Sequence, residues 1–220
     1  MSEPVSRLAV FDLDGTLTWH DTFARFMAGY VRARPQRLLR LWRVLPALLG
    51  YLTRGHDRGL LKQRIIQIFM RGDARSPVDT WAKVFADQTL RSECRGEALA
   101  VLREHQRAGD FLVLLSASPD LYVPAIGRQL GVDRVICTQV AFEGGRLAGN
   151  LLSPNRRGEE KLRCIEALRR EFPGATIHAY GNSNSDLDHL QAVEHPLLVN
   201  ANAEARQQAR RLNIPTAVWN

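Results

Sequence analysis

Residues 7–16 read RLAVFDLDGT. Arg7–Leu13 is a short apolar run that ends in acids, the pattern of a buried strand with polar residues at its carboxyl end. Asp14-Gly15 then breaks the strand. Asp12 and Asp14 stand two apart, so strand alternation sends both carboxylates to one side and Leu13 to the other, into the core. Two carboxylates this close repel each other unless they share a proton or a cation. A hard dication such as Mg²⁺ meets that need, because it prefers oxygen ligands and also neutralises phosphate. One carboxylate can then attack phosphorus as a nucleophile, and the other can protonate a leaving alcohol and later activate water. Gly15 lets backbone N–H groups come close to an anion, and Thr16 adds a hydroxyl beside them. The competing reading is an ordinary Asp-Gly turn with a solvated aspartate.

Outward from this strand the pattern changes twice. Leu17 to about Cys94 reads as helix throughout, with apolar residues at helical spacing over Phe23–Arg32, Gln36–Leu52, Leu60–Met70 and Val78–Leu90, punctuated by Pro35, Gly50, Gly55, Gly72 and Pro77. From Arg95 helices and strands alternate. Glu97–Arg107, Pro119–Leu130, Gly158–Glu171, Ser185–Ala192 and Glu204–Leu212 read as helices. Phe111–Leu115, Arg134–Thr138, Thr176–Tyr180, Pro196–Val199 and Thr216–Trp219 read as strands, and Val140–Leu151 as a hairpin turning at Gly144-Gly145. Strands separated by helices predict a doubly wound, mainly parallel α/β sheet. The expected domains are an α/β core of residues 1–16 and 96–220, with an all-helical insertion, 17–95.

In such a sheet, ligands bind at the carboxyl ends of the strands. Beside Asp12 and Asp14 those ends carry Ser116-Ala117-Ser118 and the run Gly181-Asn182-Ser183-Asn184-Ser185-Asp186. Ser116 and the N–H groups after it can bind phosphate oxygens, or Ser116 can merely cap a helix. Asn182 can give an amide oxygen to Mg²⁺, and Asp186 can hold a metal-bound water or orient a lysine. Only three of the 30 basic residues are lysine: Lys62, Lys83 and Lys161. Lys161 is the one lysine outside the insertion. It opens a helix, where the dipole disfavours a cation, so a buried anionic partner is expected for it; the plain alternative is a surface lysine.

FDLDGTLT, LLSAS, Lys161 and YGNSNSDLDHL occur in this order at successive strand ends. That conjunction resembles the haloacid dehalogenase (HAD) superfamily of Mg²⁺-dependent phosphotransferases. SASPDLYVPAIGRQLGV and NRRGEEK are similar to the family IB branch that contains phosphoserine phosphatase. The resemblance implies a HAD-like Rossmannoid core with a type-one cap, Asp12 as nucleophile and Asp14 as acid/base. It further implies that Gly15, Thr16, Ser116, Ala117 and Lys161 surround phosphate, and that Mg²⁺ is held by Asp12, the Asp14 carbonyl and position 182, with Asp186 in support. The family usually has aspartate where this chain has Asn182, which lowers the negative charge offered to the metal.

The chain has 220 residues, 45% of them hydrophobic and 24% charged, enough to bury a core without disulfide or metal staples. Cys94, Cys137 and Cys164 are widely spaced and odd in number, which argues against a disulfide framework. No export signal is visible at the N-terminus, so the expected compartment is the cytoplasm. The excess charge is local. Leu17–Arg95 holds 15 basic and 6 acidic residues, and the remainder holds 15 and 17. Within it, QRLLRLWRVLPALLGYL is apolar with Arg37, Arg40 and Arg43 on a related face. It is too short and too charged to span a bilayer. The expectation is a cap helix packed on its neighbours; the alternative is an interfacial helix with its arginines on anionic lipid. The expected substrate is a small phosphorylated metabolite such as phosphoserine, for which Asp21 could meet the amino group and Arg64 the carboxylate. A phosphorylated lipid at the membrane surface is the alternative. The histidines form no metal-binding spacing and read as surface or capping residues, His20 excepted as a possible neighbour of the pocket. Non-enzymatic alternatives are a basic nucleic-acid-binding module or a weakened scaffold. Nucleic acid is not an expected partner, because no recognition motif accompanies the arginines.

Overall fold

The computed structural model describes residues 5–53 and 57–220. Gly55 and His56, read above as a turn and as a surface histidine, lie outside the described residues. Strand β1 (Arg7–Phe11) is followed by a tight turn through Leu13–Leu17, closed by Thr18 N–H donating to the Leu13 carbonyl at 3.0 Å. Four α-helices come next: α1 (Thr22–Arg32), α2 (Val44–Thr53), α3 (Arg58–Met70) and α4 (Arg75–Ser92). A 3₁₀ segment, Pro35–Arg43, leads into α2. The chain then alternates through α5 (Gly96–Arg107), β2 (Phe111–Pro119), α6 (Val123–Leu130), β3 (Arg134–Thr138) and the hairpin β4 (Val140–Glu143) and β5 (Arg146–Leu151). It ends with α7 (Glu159–Glu171), β6 (Thr176–Gly181), α8 (Leu187–Gln191), β7 (His195–Val199), α9 (Ala203–Arg211) and β8 (Thr216–Ala217).

Six strands form one parallel sheet in the order β3-β2-β1-β6-β7-β8, and β4 and β5 pair antiparallel apart from it. Strand order reverses at β1, which places its carboxyl end at the switch point where such sheets bind ligands. The alternation read in RLAVF holds. Leu8 and Val10 join the apolar layer formed with α7, α8 and α9, while Ala9 and Phe11 join the layer on the other face. That second layer continues into the insertion. Phe26 of α1 stacks on Tyr122 at 4.5 Å between ring centroids, and Ile66, Phe69, Val78 and Phe85 belong to the same cluster.

Two helix boundaries differ from expectation for local reasons. Asp21 accepts from Ala24 N–H and Asp57 from Gly59 and Leu60 N–H, so side-chain caps begin α1 and α3 one or two residues early. The predicted Pro119–Leu130 helix begins only at Val123, because β2 runs on to Pro119 past an irregularity between Ser116 and Pro119. The Gln36–Leu52 segment departs most from its sequence reading. It is not one helix, although both of its parts lie against the neighbouring helices α1 and α3. It divides into the 3₁₀ segment and α2, and none of its residues is buried.

Candidate active site

Asp12 follows β1 directly, its N–H still paired with the Tyr180 carbonyl at 3.0 Å. The chain must then turn sharply, and Gly15 makes the turn with φ +84°. Gly15 also admits the Asn182 side chain: a Cβ at position 15 would lie 2.0 Å from Asn182 Nδ2. Thr16 is buried and donates to Asp12 Oδ2 at 3.1 Å.

Lys161 sits in the first turn of α7 and is 3% exposed. Its ammonium donates to Asp12 Oδ1 at 2.6 Å and to Asp186 Oδ1 at 2.7 Å. Burial alone would lower the Lys161 pKa, but the two carboxylates push it well above the usual range. The carboxylates fare unequally. Asp186 has Lys161 on one oxygen and the Asn182 N–H, Ser183 N–H and Ser183 hydroxyl on the other. Burial pushes its pKa up, but Lys161 and His189, with these hydrogen bonds, hold it well below the usual carboxylate range. Asp12 has fewer donors. Burial, together with Asp186 and Asp14, outweighs Lys161 and lifts Asp12 to about 7. One ammonium shared between two buried carboxylates leaves Asp12 short of positive charge.

That shortage, with an all-oxygen donor set, is what a hard dication fits. Asp12, the Asp14 carbonyl and Asn182 are the residues that could hold it. Among the described residues no group of three His, Cys, Asp or Glu side chains is placed to hold a metal, so a cation here depends on neutral oxygens beside Asp12. Both oxygens of Asp186 are taken by Lys161 and the Asn182 loop, the arrangement expected if Asp186 orients the lysine.

Asp14 has its own set of donors. Its Oδ1 accepts from Thr22 N–H and the Thr22 hydroxyl, both at 2.6 Å, and its Oδ2 accepts from the Ser118 hydroxyl at 2.6 Å. Burial and Asp21 still raise its pKa above the ordinary value, against those donors. A carboxyl group whose pKa is raised suits an acid/base role.

These groups open on a cleft of about 490 Å³ lined by Asp12, Asp14, Gly15, Ala117, Lys161, Asn182 and Asp186, with Asp21, Arg58 and Lys62 from the insertion and Arg157 from the loop before α7. Several expected site residues stand elsewhere. Ser116 is fully buried and off the cleft lining, and its hydroxyl accepts from Ser118 N–H at 3.0 Å. Arg64 lies outside this cleft, on a separate one between α2 and α3. The helical phase of α3 turns Arg58 and Lys62 toward the core and Arg64 away. Sequence reasoning missed Thr22, Ser118, Arg58, Lys62 and Arg157. Lys62 had a signal, the same scarcity of lysine that marked Lys161. It donates to the Ala117 carbonyl at 2.7 Å, and burial lowers its pKa. The histidines also differ from a surface reading. His189 is buried, and His105 bridges Asp110 and the Tyr180 hydroxyl at 2.5 and 2.7 Å. His20 does line the cleft.

Comparison with known proteins gives the family and the fold. The haloacid dehalogenase-like hydrolase family matches residues 9–191. Protein CicA of Caulobacter vibrioides is 34% identical over 191 residues, which cover 85% of this chain and 83% of CicA. A protein of unknown function from Bordetella pertussis has a crystal structure with a TM-score of 0.80 at 23% identity, covering 96% of this chain and 98% of its own. A substrate-bound phosphoserine phosphatase shares the fold, with a TM-score of 0.64 at 15% identity over 94% of this chain and 91% of its own. With that match spanning the first strand, the helical insertion and the strand ends that carry Asp12, Lys161 and Asp186, the chain belongs to the haloacid dehalogenase-like hydrolases as a phosphatase-like member.

Proposed function

We propose that this chain is a Mg²⁺-dependent phosphomonoester hydrolase that works through an aspartyl-phosphate on Asp12, with residues 17–95 acting as a cap over the core 1–16 and 96–220. The observation that carries the reading is the buried Lys161 ammonium bonded to both Asp12 and Asp186 in the lining of the cleft. A bound Mg²⁺ would supply charge neutralisation for the phosphoryl oxygens. An Asp12 oxygen attacks phosphorus, forming the Asp12–phosphorus bond as the bond to the leaving oxygen breaks. Asp14, raised in pKa and held by Thr22 and Ser118, gives its proton to that oxygen. Water then attacks phosphorus, Asp14 takes a proton from it, and Asp12 is released with inorganic phosphate. Lys161 neutralises Asp12 throughout and offers its charge to the phosphate.

The substrate we favour is a small phosphorylated metabolite such as phosphoserine. Asp21 lines the cleft and suits an ammonium group. The cation for a carboxylate would be Arg58, Lys62 or Arg157 rather than Arg64. Phosphate release from phosphoserine, sugar, nucleotide and lipid phosphates, measured with and without Mg²⁺, tests both reaction and substrate. Asp12→Asn should lower turnover by orders of magnitude while circular dichroism stays unchanged. Wild-type rates in Asp12→Asn would reject the mechanism.

A further inference from the structure

The cap carries an apolar face that the fold leaves uncovered. Along the 3₁₀ segment and α2, the half-buried residues are Arg37, Arg40, Val44, Ala47, Gly50 and Tyr51, a stripe at helical spacing. The other face holds Leu39, Trp42, Leu45 and Leu49, which are 80%, 65%, 68% and 62% exposed. The usual amphipathic arrangement is inverted. Arg37 faces inward, binding Asp73 and the Phe69 carbonyl, and Arg40 donates to the Ile68 carbonyl at 3.1 Å. These two arginines fasten the segment to α3 and its following turn, and the leucines are left facing out.

The charge around the patch identifies what covers it. From Thr22 to His56 the sequence holds seven arginines and no acid, and of these Arg25 and Arg37 are paired with Glu93 and Asp73 from beyond the stretch. A second copy of this chain would bring the same positive charge against it. A surface with apolar depth under a negative layer matches both properties, and Trp42, with the Arg43 guanidinium 5.3 Å from its ring centroid, suits the boundary between them. No helix among the described residues is long and apolar enough to cross a membrane, so the contact is peripheral. We propose that the outward face of residues 38–52 docks the protein on an anionic lipid bilayer, with the leucines and Trp42 in the acyl boundary and Arg43 at the headgroups.

The inference does not depend on the phosphatase reading, and its test uses no turnover of a lipid. Purified protein is sedimented with sucrose-loaded vesicles of pure phosphatidylcholine or of phosphatidylcholine containing about 30% phosphatidylglycerol. The mixed vesicles should bind at least about tenfold more strongly, and the advantage should shrink as salt is raised. A Leu45→Glu/Leu49→Glu variant changes only exposed positions. It should lose about tenfold or more in binding while its circular dichroism and its turnover of p-nitrophenyl phosphate, if wild type shows any, stay unchanged. Arg43→Glu should weaken binding to the mixed vesicles and leave the weak binding to pure phosphatidylcholine little altered. Absence of wild-type binding to the mixed vesicles at low salt overturns the proposal, as does undiminished binding by the double variant. A wild-type dimer that the double variant converts to monomer, without vesicle binding, assigns the face to self-association and overturns it equally.

Discussion

One ammonium serving two buried carboxylates is the controlling feature at the scale of single residues. Replacing Lys161 by Met keeps most of the stem but leaves Asp12 and Asp186 facing each other with no cation between them. Charge stabilisation in a closed site is worth several kcal/mol, so Lys161→Met should lower turnover by about two to three orders of magnitude. A surface lysine would show no such loss, and a nearly unchanged rate constant would remove Lys161 from the site. At this scale the sequence was informative where composition singled a residue out. Lysine is scarce and Lys161 stands alone outside the insertion, so its need for an anion could be read. The pairing of Ser118 with Asp14, and the placing of Ser116 behind the cleft, depend on how β2 continues past Ser116. That irregularity leaves no mark in the sequence that separates one serine from the other. Arg64 was chosen from many cap arginines by type, and only the rotation of α3 about its axis decides between it and Arg58.

Among elements, the 3₁₀ segment is tied to the rest of the insertion by a polar cluster around Asp73. Asp73, in the turn between α3 and α4, accepts from both the Tyr30 hydroxyl and the Arg37 guanidinium. Burial pushes the Asp73 pKa up, but Arg37 and Tyr30 hold it below the ordinary value. Arg37 and Asp73 are only 14% and 15% exposed in their side chains, so the pair is poorly screened by solvent. Asp73→Ala leaves a buried guanidinium and a hydroxyl without their acceptor. We expect a loss of about 1–3 kcal/mol in urea unfolding, and faster tryptic cleavage after Arg40 and Arg43 under native conditions. Unchanged cleavage would mean that other contacts fix the segment. Helical spacing over Gln36–Leu52 was legible, but not which face would be covered. Leucine-rich periodicity says that a face exists; whether α3 or something outside the protein meets it depends on Arg37 and Arg40 taking the inner side. By contrast β1 and its alternation were legible as far as Phe11, two residues short of the expected end, because a strand buried on both faces leaves little choice of what each residue contacts.

For the molecule as a whole, proton binding by buried groups of opposite tendency sets how stability varies with pH. His178 lies on β6, stacked on His195 at 4.3 Å between ring centroids and edge-on to His105 at 5.1 Å. Burial, with His195, His105 and Arg7 against Asp110, lowers its pKa from 6.5 to about 4. The unfolded chain therefore takes up a proton at this position as pH falls below 6.5, while the folded chain stays neutral until about 4. The stability contributed by neutral His178 is complete above 6.5 and drains away as pH falls through 4. Asp12 and Asp120, raised to about 7 and about 6, act in the opposite sense over the same range, because the folded chain binds their protons first. Total stability against pH is thus a poor measure of any one of them. The difference between wild type and His178→Gln isolates the histidine, since the carboxylates cancel. In metal-free buffer the stability of wild type relative to His178→Gln should decline steadily from pH 6.5 to 4, with the difference constant above that window. A difference that stays flat across the window would show that His178 is protonated in the folded chain at its ordinary pKa, and that burial between His195 and His105 does not keep it neutral.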